Sequence, residues 1–140
     1  MNADSERFLL AIARFDAANA EDPHRESVGG RERPKELLYA ERLTAMLERY
    51  APDASEALRL AARCQHIQRW KIPRADYPMT RPGYHLWRTR LRDFHADLAA
   101  TILRETGYDE AIIARVRSLI RKEALKTDPE VQALEDVVDL

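Results

Sequence analysis

A single cysteine, Cys64, stands in 140 residues. That excludes an internal disulfide and any zinc site built from several cysteines, and makes a reducing cytoplasm the expected setting. No apolar run approaches the length needed to span a bilayer, so no membrane association is expected. The opening Met1-Asn2-Ala3-Asp4-Ser5-Glu6 lacks the basic and then apolar pattern of a signal peptide. No strand pattern, internal repeat or low-complexity segment is evident. Net charge is nearly absent, at −1, which disfavours a general nucleic-acid surface.

What is present is 45% apolar and 34% charged residues, the balance of a helix-rich globule. The length suits one domain over 1–140 with one core. Helical spacing places the first helix over Ser5–Asn19, with Ser5 as N-cap and Phe8, Leu9, Ile12 and Phe15 inward. Asp22-Pro23 stops it, and His24 to Arg33, with Gly29-Gly30, reads as a polar loop. Pro34 opens a second helix, with Leu37, Leu43, Met46, Leu47 and Tyr50 as its stripe. Asp53-Ala54-Ser55-Glu56 resembles a capping box for a third, which runs to about Trp70.

Pro73, Pro78 and Pro82 make 71–83 a rigid loop rather than a helix. A fourth helix, from about Tyr84 to Thr106, carries Tyr84, Trp87, Leu91, Phe94, Leu98 and Ile102, and Gly107 stops it. Asp109 caps a fifth helix with Ile112, Ile113, Val116, Leu119 and Ile120 inward. Asp128-Pro129 opens a sixth, with Val131, Leu134, Val137 and Val138 on its apolar face. The pattern is still running at Leu140, so the domain is expected to continue beyond it. The fold class is all-α, a bundle of about six helices.

Charge is distributed unevenly. Between Arg63 and Arg92 eight Lys and Arg residues stand against one acid, Asp76. A basic stretch in a near-neutral chain points to an anion site; the plainer alternative is a solvated loop and helix face. Arg69, Arg74 and Arg81 supply guanidinium forks that match phosphate or carboxylate oxygens. Arg88 offers the same fork or pairs within the bundle. Tyr77 adds a donor in the loop, and Lys122 and Lys126 add point charges one turn apart.

Gln65 and His66 follow the alanine-rich run Ala61-Ala62, where buried polar groups are costly without partners. His66 reads either as a metal ligand or general base, or as a core histidine bonded to Asp136 or Tyr39. Glu36, in a first helical turn, reads either as a site carboxylate or as a helix-dipole partner. His95 reads as structural, Cys64 and Trp87 as packing, and His24 and His85 give no signal. Trp70, Tyr77 and Tyr84 could stack on a base or pack the loop.

Three segments carry a resemblance: Ala61-Ala62-Arg63-Cys64-Gln65-His66, Phe94-His95-Ala96-Asp97-Leu98-Ala99 and Leu134-Glu135-Asp136-Val137. They resemble the HD superfamily of metal-dependent phosphohydrolases. Gln65-His66-Ile67-Gln68-Arg69-Trp70-Lys71-Ile72-Pro73-Arg74, Tyr77-Pro78-Met79-Thr80-Arg81-Pro82-Gly83-Tyr84, Trp87-Arg88 and Lys126-Thr127-Asp128-Pro129 resemble more closely a family of unassigned function. That family is sometimes labelled glutamyl-tRNA-synthetase-like, without a synthetase signature. The HD likeness implies a metal ligand at Asp136, but Tyr39 stands where a ligand histidine is expected and Gln65-His66 replaces His-Asp. The resemblance therefore implies at most one divalent metal, held by His66, Asp136 and Glu36.

The resulting expectation is a phosphohydrolase acting on a nucleotide or other small phosphorylated compound, with Gln65, His66 and Asp136 catalytic. The alternative is a catalytically inactive domain that binds a small anionic ligand. An RNA-associated module ranks below both. The pocket is expected between the second, third and sixth helices and the proline-rich loop.

Overall fold

A computed structural model of the chain describes residues 3–138, with side chains from 6 to 138. Six α-helices are described: α1 (Ala3–Asn19), α2 (Lys35–Tyr50), α3 (Glu56–Cys64), α4 (Arg81–Glu105), α5 (Glu110–Ile120) and α6 (Pro129–Val138). They enclose one core, as the apolar periodicity requires. Ala11 and Phe15 of α1, Leu43 and Leu47 of α2 and Leu58, Leu60 and Ala61 of α3 meet Ala99 and Leu103 of α4, Val116 and Leu119 of α5 and Val131 and Leu134 of α6. α1 begins at Ala3, so Ser5 falls inside the helix and is not its N-cap, and the pattern at Leu140 lies outside the described residues.

Local chemistry sets the helix ends. Ser55 caps α3 by accepting from the Leu58 N–H at 3.1 Å, and Asp109 caps α5 by accepting from the Ile112 N–H at 3.0 Å. Asp128 does the same for α6 through the Glu130 N–H at 3.0 Å. Pro34 offers α2 no side-chain cap. Asp22, brought from the preceding turn, accepts from the Glu36 N–H at 2.9 Å in its place.

Three further boundaries differ from the sequence expectation. The loop before α2 is a hairpin: β1 (Arg25–Val28) pairs antiparallel with β2 (Arg31–Pro34). Gly29 and Gly30 both take positive φ, +56° and +80°, the geometry of a tight two-residue hairpin turn. Its charged, alternating residues hide the strand signal. α4 begins at Arg81 rather than Tyr84, because Pro82 is tolerated in a first turn and Thr80 accepts from the Gly83 N–H at 3.1 Å.

α3 stops at Cys64 instead of reaching Trp70. Gln68 takes a left-handed conformation, φ +52°. Buried Asn19, at the end of α1, accepts its backbone N–H at 2.9 Å, and Arg63 clasps Asp16 at 2.8 and 2.9 Å. These contacts break the helix at the point where Gln65 and His66 emerge, so both lie on a turn. The inward face of α4 is also rotated. His95 is 2% exposed and Tyr84 41%, whereas the apolar pattern put Tyr84 inside and left His95 beside the stripe.

Candidate functional site

The polar floor forms where the turn after α3 meets the middle of α4. Ile67 is fully buried, and its carbonyl oxygen accepts from His95 Nδ1 at 2.8 Å. A carbonyl only accepts, so Nδ1 carries the proton. Burial pushes the His95 imidazole down to about 4, and the neutral ring therefore leaves Nε2 as a bare acceptor. That atom is buried and has no hydrogen-bond partner.

Gln65 is set by the same reasoning. Its Oε1 accepts from Lys122 Nζ at 3.3 Å; an ammonium only donates, so the amide is fixed with Nε2 as the free end. Gln65 Nε2 is likewise buried and unpartnered, as are Arg92 Nε and His66 Nδ1. Arg88, Arg92 and His95 fall at spacings of four and three on one face of α4. With Gln65, His66, Arg69 and Lys122 they line a cavity of about 30 Å³. That is about the share of one water in the liquid, so a larger anion would reach into it with one oxygen.

The electrostatics are one-sided. Arg14, Arg33, Arg42, Arg63, Arg104, Arg115, Arg117 and Arg121 all engage carboxylates. Among the described residues Arg69, Arg88 and Arg92 have no carboxylate within ion-pair distance. Arg69 lies over the Trp87 ring at 5.4 Å, and Arg88 reaches only the Tyr84 hydroxyl at 3.4 Å. Burial and the neighbouring Arg88 lower the Arg92 pKa. Lys122 meets Glu135 at 3.4 Å, yet burial still holds its ammonium below the ordinary lysine range.

Behind the cavity, His66 stacks on Tyr39 at 4.8 Å with the planes 14° apart. Glu36 Oε1 lies 3.9 Å from His66 Nδ1. Burial, opposed by Arg69, raises the Glu36 carboxyl to about 7. The His66 imidazole is held well below its usual value by burial, then by His95, Arg69, Lys122 and Arg88.

Of the residues singled out from sequence, Gln65, His66, Arg69 and Lys122 come together and Glu36 stands behind His66. Asp136 does not join them: its carboxylate accepts from Tyr50 and Gln132, both at 2.8 Å. The helical turn of α6 sends Glu135 toward Lys122 instead. Arg74 is committed to the loop, donating to the Tyr77 and Pro78 carbonyls at 3.3 and 3.0 Å. Tyr77 thus contributes its backbone there. Arg81 and Lys126 are exposed. The expected border of α2, α6 and the proline-rich loop is replaced by the α3 turn, α4 and the segment after α5. Arg92 and His95 were missed, although their spacing from Arg88 was legible.

The donors present do not fit a divalent cation. Among the described residues no three His, Cys, Asp or Glu side chains converge as ligands, and the cavity is bordered by four cationic groups. A larger and mostly apolar cavity of about 300 Å³ between α1, α2 and α3 includes Phe8, Ile12 and Leu47. Its Arg63 is held by Asp16, and no unpartnered buried polar atom faces it.

The family model for Domain of unknown function (DUF4202) matches residues 10–140, with every site residue inside the match. The chain belongs to this family. No curated protein and no solved structure matches the chain. The DUF4202 chain thus presents a small, one-signed polar pocket whose chemistry has to be read from its own atoms. Among the described residues no helix is long and apolar enough to cross a membrane.

Proposed function

We propose that this domain binds a small phosphorylated ligand through its phosphoryl group, in the cavity between the α3 turn, α4 and Lys122. One observation carries the reading: among the described residues Arg69, Arg88 and Arg92 border one cavity with no carboxylate within ion-pair distance, and the Glu135 carboxylate is taken up by Lys122. Uncompensated cations at a partly buried site are unfavourable unless a ligand supplies the opposite charge. Guanidinium groups suit phosphoryl oxygens geometrically, and the buried Gln65 amide adds a fixed donor. A cytoplasmic setting goes with this reading, as Cys64 is a buried free thiol.

Phosphoester hydrolysis is the second reading, favoured by Glu36. A carboxyl raised to about 7 beside His66 is poised to take a proton from water near neutrality. The likeness to the HD superfamily points the same way, without its metal ligands. Binding ranks first because Asp136, the remaining ligand position of that likeness, is engaged by Tyr50 and Gln132.

Calorimetric titration with inorganic phosphate and methyl phosphate tests the binding reading. Saturable binding, lost in Arg92→Ala, is expected, with a matching rise in unfolding temperature by mass action. Absence of saturable binding in a folded protein would overturn it. Release of phosphate from a panel of monoesters, abolished in Glu36→Gln, would establish the second reading in addition.

A further inference from the structure

We infer that the cavity selects an oxyanion that brings its own proton: hydrogen phosphate or a phosphomonoester, in preference to sulfate or a phosphodiester. The inference rests on the phosphoryl-binding reading above and narrows its ligand class.

Two hydrogen bonds set the polarity of the floor. Ile67 O fixes the proton of His95 on Nδ1, which leaves Nε2, on a ring that lines the cavity, as an acceptor without a partner. Lys122 fixes the Gln65 amide with its N–H groups free. A ligand oxygen facing Gln65 Nε2 or Arg92 Nε must therefore accept, whereas one facing His95 Nε2 must donate. His95 is 2% exposed and Gln65 4%, so neither can turn to solvent for another partner.

A phosphomonoester meets both demands near neutrality. Its second ionisation lies near pH ~6, so at neutral pH about a tenth of it keeps a P–O–H, and that form can donate to His95 while the remaining oxygens accept from the amide and guanidinium groups. Sulfate and dialkyl phosphates carry no proton in this range. Either would set a bare oxygen against the bare Nε2, a buried acceptor left unsatisfied. Charge alone favours sulfate, which is dianionic, so a preference for phosphate reports the hydrogen-bond polarity and not the arginines. Exclusion of diesters makes the ligand a terminal phosphate rather than a point along a nucleic-acid backbone.

The test is parallel calorimetric titration of the whole chain at neutral pH with inorganic phosphate, methyl phosphate, sulfate and dimethyl phosphate. Phosphate and methyl phosphate are expected to bind at least about tenfold more tightly than the other two, the usual scale for one unsatisfied buried group. Equal affinities, or tighter sulfate, overturn the selectivity while leaving phosphoryl binding intact. Failure of all four to bind removes the underlying reading as well. His95→Leu is expected to abolish the preference for phosphate and methyl phosphate over sulfate, and retained preference in the folded variant counts against His95.

If that variant does not fold, nitrogen-15 spectra of the wild-type imidazole decide the matter. A neutral ring protonated at Nδ1, before and after phosphate binding, is expected. An imidazolium, or a proton on Nε2, overturns the assignment.

Discussion

The Glu36 carboxylate and the His66 imidazole face each other across 3.9 Å, and burial moves both away from their ordinary pKa values. Burial raises the first to about 7 from 4.5 and lowers the second well below 6.5. The Glu36 shift and that of the neighbouring His95 have opposite consequences for stability. The folded state holds the Glu36 proton more tightly than the unfolded chain, so that contribution is full below pH 4.5 and is lost as pH rises through about 7. His95, lowered from 6.5 to about 4, contributes fully above pH 6.5 and loses its contribution as pH falls through about 4.

Glu36→Gln should separate these effects. The amide stays neutral, so the stability gain of variant over wild type is expected to grow as pH rises from 4.5 to about 7 and then level off. Denaturant unfolding across that range measures it. A difference that does not vary with pH would show that the Glu36 carboxyl is not raised.

Arg88→Gln and Arg92→Gln each remove one cation from a cluster without carboxylate partners. Stability without ligand should stay within about 0.5 kcal/mol of wild type or rise, since surface-type losses are small and like-charge repulsion is relieved. Phosphate affinity should fall at least about tenfold. Thermal unfolding with and without phosphate reads both quantities. A variant that loses stability yet binds phosphate normally would assign that arginine to the scaffold.

Gly83 tests the clamp that holds the proline-rich loop on α4. An added Cβ would be driven into the Pro78 carbonyl, while Trp87 Nε1 donates to Ile72 O at 2.8 Å beside it. In an open helix Gly→Ala stabilises by about 1 kcal/mol; here the backbone clash should win, with a net loss of about 1–3 kcal/mol. Equal or greater stability of Gly83→Ala would mean the loop is free to move away.

Asp22→Ala removes the acceptor of the Glu36 N–H at 2.9 Å and of His24 N–H at 2.8 Å. A buried cap of this kind is worth about 1–2 kcal/mol. Because it anchors the turn bearing Glu36, phosphate affinity should change less than stability does. Unfolding and titration curves on one preparation check the pair, and an unchanged midpoint would remove Asp22 from the cap.

Residue order alone determined the all-α class, the six apolar stripes in outline, and the caps at Asp109 and Asp128, whereas the cap of α3 falls on Ser55 and not at the head of the expected Asp53–Glu56 box. These depend on spacings of three and four residues, which the chain carries locally. It also singled out Gln65, His66, Arg69 and Lys122, because polar and basic residues interrupting or flanking apolar helices stand out. The hairpin was hidden because its strands are charged on both faces and only Gly29-Gly30 announces the turn.

Tertiary structure decided the rest. Asn19 reaching Gln68 ended α3 early, Glu135 rather than Asp136 turned toward Lys122, and His95 joined Ile67 across 28 residues of chain. Above all, the direction in which Gln65 and His95 present their hydrogen-bonding atoms depends on Lys122 and on the Ile67 carbonyl. Such partners meet only when the helices pack, so donor and acceptor polarity at the site is a property of the folded chain.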